Sequence, residues 1–407
     1  MLNISNQIYK YVEDNGPLTF RDFMDKALYD KQFGYYTVNK QNKSNSISDY
    51  FTSPQTHPSF ALIITIFLKN VYDLLNRKKI HVLEEGAGEG ILARDISRFS
   101  NIIDNKFGDN LSYIATDKFS RYSYWTVNDP KINITRNVDF YISNELIDSF
   151  PVHRFRIKSK KIKEILVGVK AKKLSNIELT TSNIDIIERI SPYTTILPEG
   201  YIGEICTEYQ KWSDRVSKFV KSGIVISIDY GHEIENFYDP KRKDGLLRCY
   251  DNHTINNNPY RNPGNQDITS HVDFTSLNKA LGNSGFIKLF DLSQKDFLEI
   301  IGIKNLIDDL KKKYNNKQIN HKTYTENLAG MLLLTDSKGL GKFRVLIHCT
   351  KDLLSILKKN KEFLIHNKFK LECPLKSSIK GYINFSSTHL SDSNTLPVKT
   401  WKEIFDI

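Results

Sequence analysis

Apolar and polar positions divide the chain into amphipathic segments and short apolar runs. The patterns of residues 1–14, 18–30 and 56–78 predict helices, the last with a mostly apolar face. Short apolar runs predict strands in "KIHVLEEGAGEG", "LSYIATD", "VDFYISNE" and "SGIVISIDYGH", and "HVDFTSLNKALGNSGF" predicts a further helix followed by a strand. Alternating strands and helices predict an α/β fold with a mostly parallel, doubly wound sheet and helices on both faces.

Length and composition agree with a globular α/β protein. The 407 residues suffice for one large domain with additions or for two domains, and 40% hydrophobic residues can form a sizeable core. The best apolar run, residues 60–68, is about half of the ~18–20 residues that a membrane helix needs. Because the first residues lack a signal-peptide core and residues 13–25 contain four acids, we expect a cytoplasmic protein.

The net charge of +11 indicates either an acidic partner, such as nucleic acid or a protein surface, or a compositional bias towards Lys and Asn. Residues 151–175 contain nine Lys or Arg and one acid, and their alternation predicts an exposed two-stranded hairpin with a basic face. The four cysteines form no C-x-x-C pair, so we expect neither a disulfide framework nor a metal site.

A glycine-rich loop follows the first predicted strand, where Glu84 precedes Gly86, Gly88 and Gly90. Glycines let a ligand lie against main-chain N–H groups at a helix N-terminus. A dinucleotide fingerprint, G-x-G-x-x-G, would have its third glycine one residue later. The E-x-G-x-G-x-G order resembles the S-adenosylmethionine loop of class I methyltransferases, in which the acid reaches an ammonium group that NAD lacks.

The next strand ends at Asp117, where a carboxylate would accept hydrogen bonds from both ribose hydroxyls of the cofactor. The long interval after the glycine loop requires an insertion near "SNIIDNKFGDN". The alternative is that Glu84 and Asp117 are ordinary polar residues at strand ends.

Two carboxylates, Glu145 and Asp148, follow the strand "VDFYISNE", where methyltransferases present groups to the methyl acceptor. Enzymes that methylate base amines usually have [D/N]-P-P-[Y/F] here, and the "NNPY" at 257–260 lies in a polar loop without a preceding strand. A guanidinium is always charged and its planar donors match carboxylates, so the pair would orient an arginine. Alternatively, Asp148 caps a helix and Glu145 pairs with a nearby basic residue.

Several stretches resemble the MidA-type methyltransferase family, which includes the mitochondrial complex I assembly arginine methyltransferase. The similarity runs from about residue 12 to 348. Its stretches are "GPLTFRDFMDKALYDKQFGYYT" (16–37), "SDYFTSPQTHPSF" (48–60), "SNELIDSFPVHRF" (143–155), "SIDYGH" (227–232), "LLRCYDNH" (246–253) and "NPGNQDITSHVDFTSL" (262–277). The resemblance implies a class I, Rossmann-like fold, S-adenosyl-L-methionine as cofactor and methylation of a protein arginine, with a complex I subunit during assembly as the narrower expectation.

The resemblance also implies roles by position. The cofactor would be held by Glu84, Gly86, Gly88, Gly90 and Asp117, with an N-terminal lid contributing Thr52, Ser53 and Pro54. The residues that face the methyl acceptor would be Asn144, Glu145 and Asp148. The pocket would be lined or braced by Asp229, Gln266, Asp267, Thr269 and His271, although Asp267 and His271 equally fit a structural role in the core.

The chain departs from the family pattern at a few positions. The glycine loop reads E-E-G-A-G-E-G where the family usually reads E-L-G-P-G-R-G, and the lid reads "TSPQ" in place of T-A-P-E. The predicted organisation is an N-terminal helical region and lid (1–78), a methyltransferase domain (79–350) with an insertion around 151–220, and a C-terminal extension of unassigned role (351–407). The competing functions are a cofactor-binding assembly chaperone and, on charge alone, an RNA methyltransferase.

Overall fold

The computed structural model describes residues 4–37, 52–117, 125–127, 137–251, 254–376 and 382. Several sequence predictions lie partly outside these residues: the start of the helix predicted over 1–14, the first part of the lid stretch, the end of "LLRCYDNH" and most of the C-terminal extension after residue 376. No helix in the described parts of the chain is long and apolar enough to cross a membrane.

The strands are numbered in chain order. They are β1 (Leu18–Thr19), β2 (Ile80–Glu85), β3 (Leu111–Thr116), β4 (Trp125–Val127), β5 (Phe140–Asn144), β6 (Val152–Lys158), β7 (Lys161–Lys170), β8 (Lys173–Thr180), β9 (Ile202–Cys206), β10 (Ile224–Asp229), β11 (Gly231–His232), β12 (Leu247–Asp251), β13 (Thr254–Asn256), β14 (Asp267–Ser270), β15 (Val272–Asp273), β16 (Phe286–Ser293) and β17 (Arg344–Thr350).

The α-helices are numbered in the same way. They are α1 (Ile4–Asn15), α2 (Phe20–Tyr29), α3 (Ser53–Thr56), α4 (Ser59–Leu75), α5 (Ile91–Ile103), α6 (Asn105–Asn110), α7 (Ile184–Ile190), α8 (Tyr209–Phe219), α9 (Ile234–Phe237), α10 (Phe274–Asn283), α11 (Gln294–Ile301), α12 (Ile303–Asn315), α13 (His321–Thr335), α14 (Lys351–Lys359) and α15 (Lys361–Ile365). Short 3₁₀ turns lie at Ile147–Ser149, Ser191–Tyr193 and Leu340–Lys342.

The chain forms two compact units, each assembled from separated segments. The first unit consists of Met1–Tyr50, Ile147–Ser213 and Gly231–Ala280, and the second of Phe51–Leu146, Asp214–Tyr230 and Leu281–Ile407. Neither unit coincides with one of the ranges predicted as domains, and those ranges stay a prediction about domain organisation.

The second unit contains a seven-stranded sheet in the order β16-β17-β10-β5-β2-β3-β4. The four strands β10, β5, β2 and β3 are parallel, whereas β4, β17 and β16 pair antiparallel at the two edges. Every residue of β5 and β10 is buried, as expected for central strands covered on both faces. The predicted α/β fold is therefore confirmed, with antiparallel edge strands added to the parallel centre.

The strand order reverses between β2 and β5. From β2 the chain first adds β3 on one side, and it later adds β5 and then β10 on the other side. In open α/β sheets a crevice forms at such a reversal, outside the carboxyl ends of the strands. The segments that follow β2 and β5 therefore meet at the edge of the sheet where ligands bind.

The helix predicted over 56–78 is shorter than expected and is preceded by a separate turn of helix. His57 has an extended backbone, so α3 ends at Thr56 and α4 begins only at Ser59. At the other end Asn76 adopts a left-handed conformation, which terminates the helix. Every residue of α4 from Ser59 to Tyr72 is buried.

The first unit contains a five-stranded antiparallel sheet, in which β1, β7, β6 and β9 follow one another and β8 pairs with β7. The prediction of an exposed two-stranded hairpin at 151–175 is therefore wrong in extent and in exposure. Its apolar positions, such as Phe155 and Ile157, pack into a core with Tyr201 and Ile205. Lysines at the ends of the strands, such as Lys160, remain exposed.

A buried ion pair lies within this sheet and generates a stability prediction. Arg154 Nε is 3.2 Å from Glu204 Oε1, and Glu204 Oε2 accepts the backbone N–H of Leu246 at 2.7 Å. Because both charged side chains are buried, Glu204→Gln should lower the free energy of unfolding by about 3–5 kcal/mol in a urea titration. The partly exposed pair Arg156–Glu178 is the control, and Glu178→Gln should cost only about 0–1 kcal/mol. Equal losses would contradict this account.

Candidate active site

Glu84 lies at the carboxyl end of β2 and is buried. The Tyr113 hydroxyl donates a hydrogen bond to Glu84 Oε2 at 2.9 Å. Burial raises the pKa of Glu84 to about 7, the negative charge of Asp117 adds to this rise, and the Tyr113 hydrogen bond opposes it. Among the described residues no cationic side chain pairs with Glu84. A buried carboxylate without a cation is costly, and the ammonium group of a bound ligand would remove that cost.

The glycine loop and Asp117 lie close together. Gly86, Gly88 and Gly90 all have positive φ angles, of 77°, 56° and 72°. The backbone N–H of Gly88 donates to Asp117 Oδ2 at 3.0 Å, so the strand-end acid meets the loop. A Cβ atom on Gly86 would lie 2.8 Å from Leu146 Cδ1, whereas one on Gly88 would meet nothing within 4 Å. The space beside Gly88 is therefore open to a ligand.

The lid residues form the one-turn helix α3. Thr52 precedes this helix, and its backbone N–H donates to Gln55 Oε1 at 3.3 Å. Gln55, which replaces the acid of the family pattern, thus supplies the acceptor that an acid would supply. Pro54 occupies the first turn, where it leaves no hydrogen bond unmade. The N–H of Ser53 donates to Glu145 Oε1 at 2.9 Å, so the lid contacts the predicted acceptor site.

Glu145 follows β5 in a left-handed conformation with φ of 51°. Such a conformation costs a non-glycine residue about 1–3 kcal/mol and persists only where surrounding contacts enforce it. Its N–H donates to the carbonyl of Ile228, and its Oε1 accepts from Asn144 Nδ2 at 3.1 Å as well as from Ser53. Asn144 Oδ1 is buried without a hydrogen-bond partner among the described residues. The carboxylate of Glu145 is therefore held in a fixed position.

Asp229, the last residue of β10, also lies in the second unit and is buried. Its Oδ1 accepts the N–H of Tyr230 at 2.9 Å. Strand β10 lies next to β5 in the sheet, and the two strands pair with Ile228 opposite Asn144. Asp229 thus belongs to the same sheet edge as the candidate residues that follow β5.

The remaining predicted residues lie in the first unit and are buried there: Asp148, Gln266, Asp267, Thr269 and His271. Asp267 accepts the Tyr36 hydroxyl at 3.0 Å, and Gln266 Nε2 donates to the carbonyl of Asn258 at 3.0 Å. The ring of His271 stacks on that of His232 with a centroid distance of 5.1 Å. For Asp267 and His271 these contacts are compatible with the core role as well as with the pocket role. The pocket roles of Gln266, Asp267, Thr269 and His271 and the acceptor-facing role of Asp148 stay predictions.

Sequence reasoning missed the partners of the two acids in β2. Successive residues of a strand face opposite sides, so Glu84 and Glu85 have different environments. Glu85, which stands where the family usually has Leu, forms an ion pair with Arg215 at 2.5 Å and accepts the hydroxyl of Tyr141. The alternation of a strand could have separated Glu84 from Glu85. No sequence signal pointed to Tyr113 or to Arg215, which is 130 residues away.

Potential metal ligands and thiols were located in the described parts of the chain. No group of three or more His, Cys, Asp or Glu residues there could hold a metal ion. All four cysteines are buried and free. Burial raises the pKa of Cys206 to about 12, which keeps that thiol protonated at neutral pH.

The doubly wound sheet, the glycine loop at its switch point and the buried Glu84 define a class I methyltransferase. Residues 63–290 match the family described as "Putative S-adenosyl-L-methionine-dependent methyltransferase", and the chain belongs to this family. The predicted resemblance is confirmed. The cofactor is S-adenosyl-L-methionine, whose ammonium group fits the buried Glu84.

Two relatives and one solved structure are similar to the chain over most of its length. The chain is 22% identical to "Protein arginine methyltransferase NDUFAF7, mitochondrial" of Danio rerio, over 74% of this chain and 78% of that protein. It is 20% identical to the Homo sapiens protein of the same name, over 82% and 80%. A "likely methyl transferase" from Burkholderia thailandensis bound to S-adenosyl-homocysteine shares the fold, with a TM-score of 0.71, 22% identity and coverage of 85% of this chain and 92% of that chain.

The open space beside Gly88 leads to a prediction about cofactor binding. In Gly88→Val the new side chain should occupy that space and weaken binding of S-adenosylhomocysteine at least tenfold in calorimetry. Gly285→Val is the matched control, because Gly285 also has a positive φ, of 93°, and an open Cβ position. Both variants should lose similar stability through backbone strain, and only Gly88→Val should lose affinity. Equal affinities for the two variants would show that the loop does not contact the cofactor.

The raised pKa of Glu84 leads to a second prediction. With a pKa of about 7, Glu84 takes up a proton as the pH falls from 8 to 6, and the neutral acid no longer attracts an ammonium group. The affinity for S-adenosylhomocysteine should therefore fall about tenfold over this range, following the ionised fraction. In Glu84→Gln the affinity should be low at both pH values, with this pH dependence removed. An unchanged pH profile in the variant would contradict the role assigned to Glu84.

Proposed function

We propose that this methyltransferase transfers the methyl group to an arginine side chain of a partner protein. The observation that carries the proposal is the carboxylate of Glu145, held in a strained conformation at the carboxyl end of β5. The vertebrate relatives named as protein arginine methyltransferases support it. The activity as a methyltransferase follows from the family, whereas the arginine acceptor is our inference.

In this proposal, some residues of the second unit bind the cofactor and others bind the acceptor. Glu84 neutralises the ammonium group of the cofactor, the loop around Gly88 leaves room for it, and Asp117 binds its ribose hydroxyls. Bound S-adenosylmethionine supplies a methyl group on a positively charged sulfur. Glu145 binds the acceptor, and Asn144 and Ser53 fix the direction of its carboxylate.

A carboxylate suits an arginine acceptor for a physical reason. The guanidinium stays protonated at any physiological pH and presents planar donors that pair with carboxylate oxygens. Pairing localises positive charge on the bound nitrogens and leaves the remaining nitrogen better able to attack. Most of the rate gain would come from orientation and from preorganised electrostatics. After transfer, the methylated guanidinium loses one proton to solvent.

The partner is proposed to be a protein with an acidic surface, and a respiratory complex I subunit during assembly is the narrower hypothesis. Exposed lysines at the ends of β6 and β7, such as Lys160 and Lys161, offer the basic surface for such a partner. The relatives carry the word mitochondrial in their names. For this chain, a cytoplasmic location remains a prediction.

One observation favours a second candidate, a cofactor-binding assembly chaperone with weak or no transfer activity. Glu145 Oε1 already accepts two hydrogen bonds, from Ser53 and Asn144. A carboxylate with these bonds could serve mainly to hold the lid in place. An RNA methyltransferase has only the net charge in its favour.

Glu145→Gln separates the two candidates. The amide oxygen can still accept the N–H of Ser53, but the negative charge facing a cation is lost. Losing one partner of a desolvated charge pair costs about 2–5 kcal/mol, so transfer of labelled methyl groups to protein in a host extract should slow at least tenfold. Affinity for S-adenosylhomocysteine and the melting temperature should barely change.

The matched control is Glu188→Gln, which removes an exposed charge from α7 and should leave the rate unchanged. If Glu145→Gln transfers methyl groups at the parental rate but melts much earlier, Glu145 is structural. The chaperone function would then be the better conclusion.

A further inference from the structure

The segment that follows α15, residues 366–376, has no regular secondary structure up to residue 375 but is anchored to the second unit; we call it the C-terminal strap. Asn70 of α4 is fully buried, and its Nδ2 donates to the carbonyl of His366 at 2.8 Å. The N–H of Cys373 donates to Asp309 Oδ2 at 2.8 Å, and the Cys373 side chain is buried. The strap is therefore part of the folded core.

The end of the strap meets the lid through one buried asparagine. Asn327 of α13 is 1% exposed, and its Oδ1 accepts the backbone N–H of Lys376 at 2.8 Å. The same oxygen lies 3.1 Å from Nε2 of His57, the first residue after α3. Because an amide oxygen can only accept, His57 must carry its proton on Nε2. Its Nδ1 then accepts the N–H of Ser59 at 3.1 Å.

His57 is held in this neutral form by its surroundings. Burial lowers its pKa to about 3, and the nearby positive charge of Lys376 adds to this effect. The Nε2 proton, and with it the hydrogen bond to Asn327, is therefore maintained throughout the physiological pH range. Asn327 Oδ1 thus connects the backbone bend between α3 and α4 to α13 and to the strap.

The side chain of Lys376 makes a second connection to the lid. It is only 2% exposed and lies against Gly330 of α13. A Cβ atom on Gly330 would be 3.0 Å from Lys376 Cε, 3.1 Å from Lys376 Nζ and 3.0 Å from the carbonyl oxygen of Thr56. The lysine and the last residue of α3 therefore share the space that the missing side chain leaves. Burial also lowers the pKa of Lys376 to about 7, which reduces the charge buried there.

We propose that the C-terminal strap positions the lid: Asn327 and Lys376 hold the α3–α4 junction, and α3 in turn holds the carboxylate of Glu145. The lid side of this connection is the hydrogen bond from Ser53 N–H to Glu145. The hydroxyl of Ser53 adds a bond to Gln294 Oε1 at 2.9 Å inside the same unit. The functional consequence rests on the acceptor role proposed for Glu145. The connection from the strap to the lid does not depend on that role.

Hydrogen–deuterium exchange of the peptide that contains residues 52–57 tests the connection without any assay of activity. Gly330→Ala keeps every hydrogen-bonding group and adds one methyl group between Lys376 and Thr56. Alanine also favours a helix over glycine, so global stability should not explain a local change. We expect exchange of the lid peptide to become at least tenfold faster, with exchange in β2 and β5 unchanged.

Gly282→Ala is the matched control, because Gly282 also lies in a helix and its Cβ position is open. It should leave exchange of the lid peptide unchanged. Asn327→Ala, which removes the oxygen shared by His57 and Lys376, should have at least as large an effect as Gly330→Ala. If both Gly330→Ala and Asn327→Ala leave the lid peptide protected at the parental level, the proposal is overturned.

A turnover measurement then separates this proposal from the proposed function. Asn327→Ala should slow methyl transfer in the parental background and have little further effect in Glu145→Gln, since both act on the same carboxylate. If Asn327 has only a structural role, Asn327→Ala should lower the melting temperature and slow methyl transfer equally in both backgrounds. That result would count against a positioning role. Faster lid exchange with unchanged turnover would leave the connection standing and contradict the role given to Glu145.

Discussion

The candidate site depends on one topological constraint, the reversal of strand order between β2 and β5. Because the chain continues from β2 in one direction and from β5 in the other, no crossover covers the edge between them. The residues that follow these strands are thereby placed side by side. Glu84 lies at the carboxyl end of β2, just before the glycine loop, and Asn144 ends β5, directly before Glu145. Cofactor chemistry and the proposed acceptor chemistry are both assigned to this edge.

Strain at Glu145 shows how tightly this edge is specified. A non-glycine residue with φ of 51° needs surrounding contacts to hold it, and these come from Ile228, Asn144 and Ser53. The residues predicted to form a lid therefore also have a structural contact with Glu145. Ser53 supplies the N–H group that fixes a carboxylate, and the proposed strap extends this support to residues near the end of the described chain.

Much of the fold could be predicted from the sequence, because strands with continuous apolar runs, such as β5 and β10, and the glycine loop carry strong local signals. The basic hairpin could not be placed correctly from its pattern. Alternation of apolar and basic residues shows which face is buried, but not that β8, β9 and β1 extend the sheet. The partners of Glu84 and Glu145 were also missed, because Tyr113 and Ser53 come from distant segments with no characteristic spacing.

The chemical identity of the methylated group tests the central claim most directly. The protein, labelled S-adenosylmethionine and host extract would be incubated together, and the labelled material separated into protein and RNA before hydrolysis of the protein to amino acids. The account predicts that the label is recovered as methylated arginine and that Glu145→Gln greatly reduces it. Label recovered in RNA, or in protein as another methylated amino acid, would contradict the account.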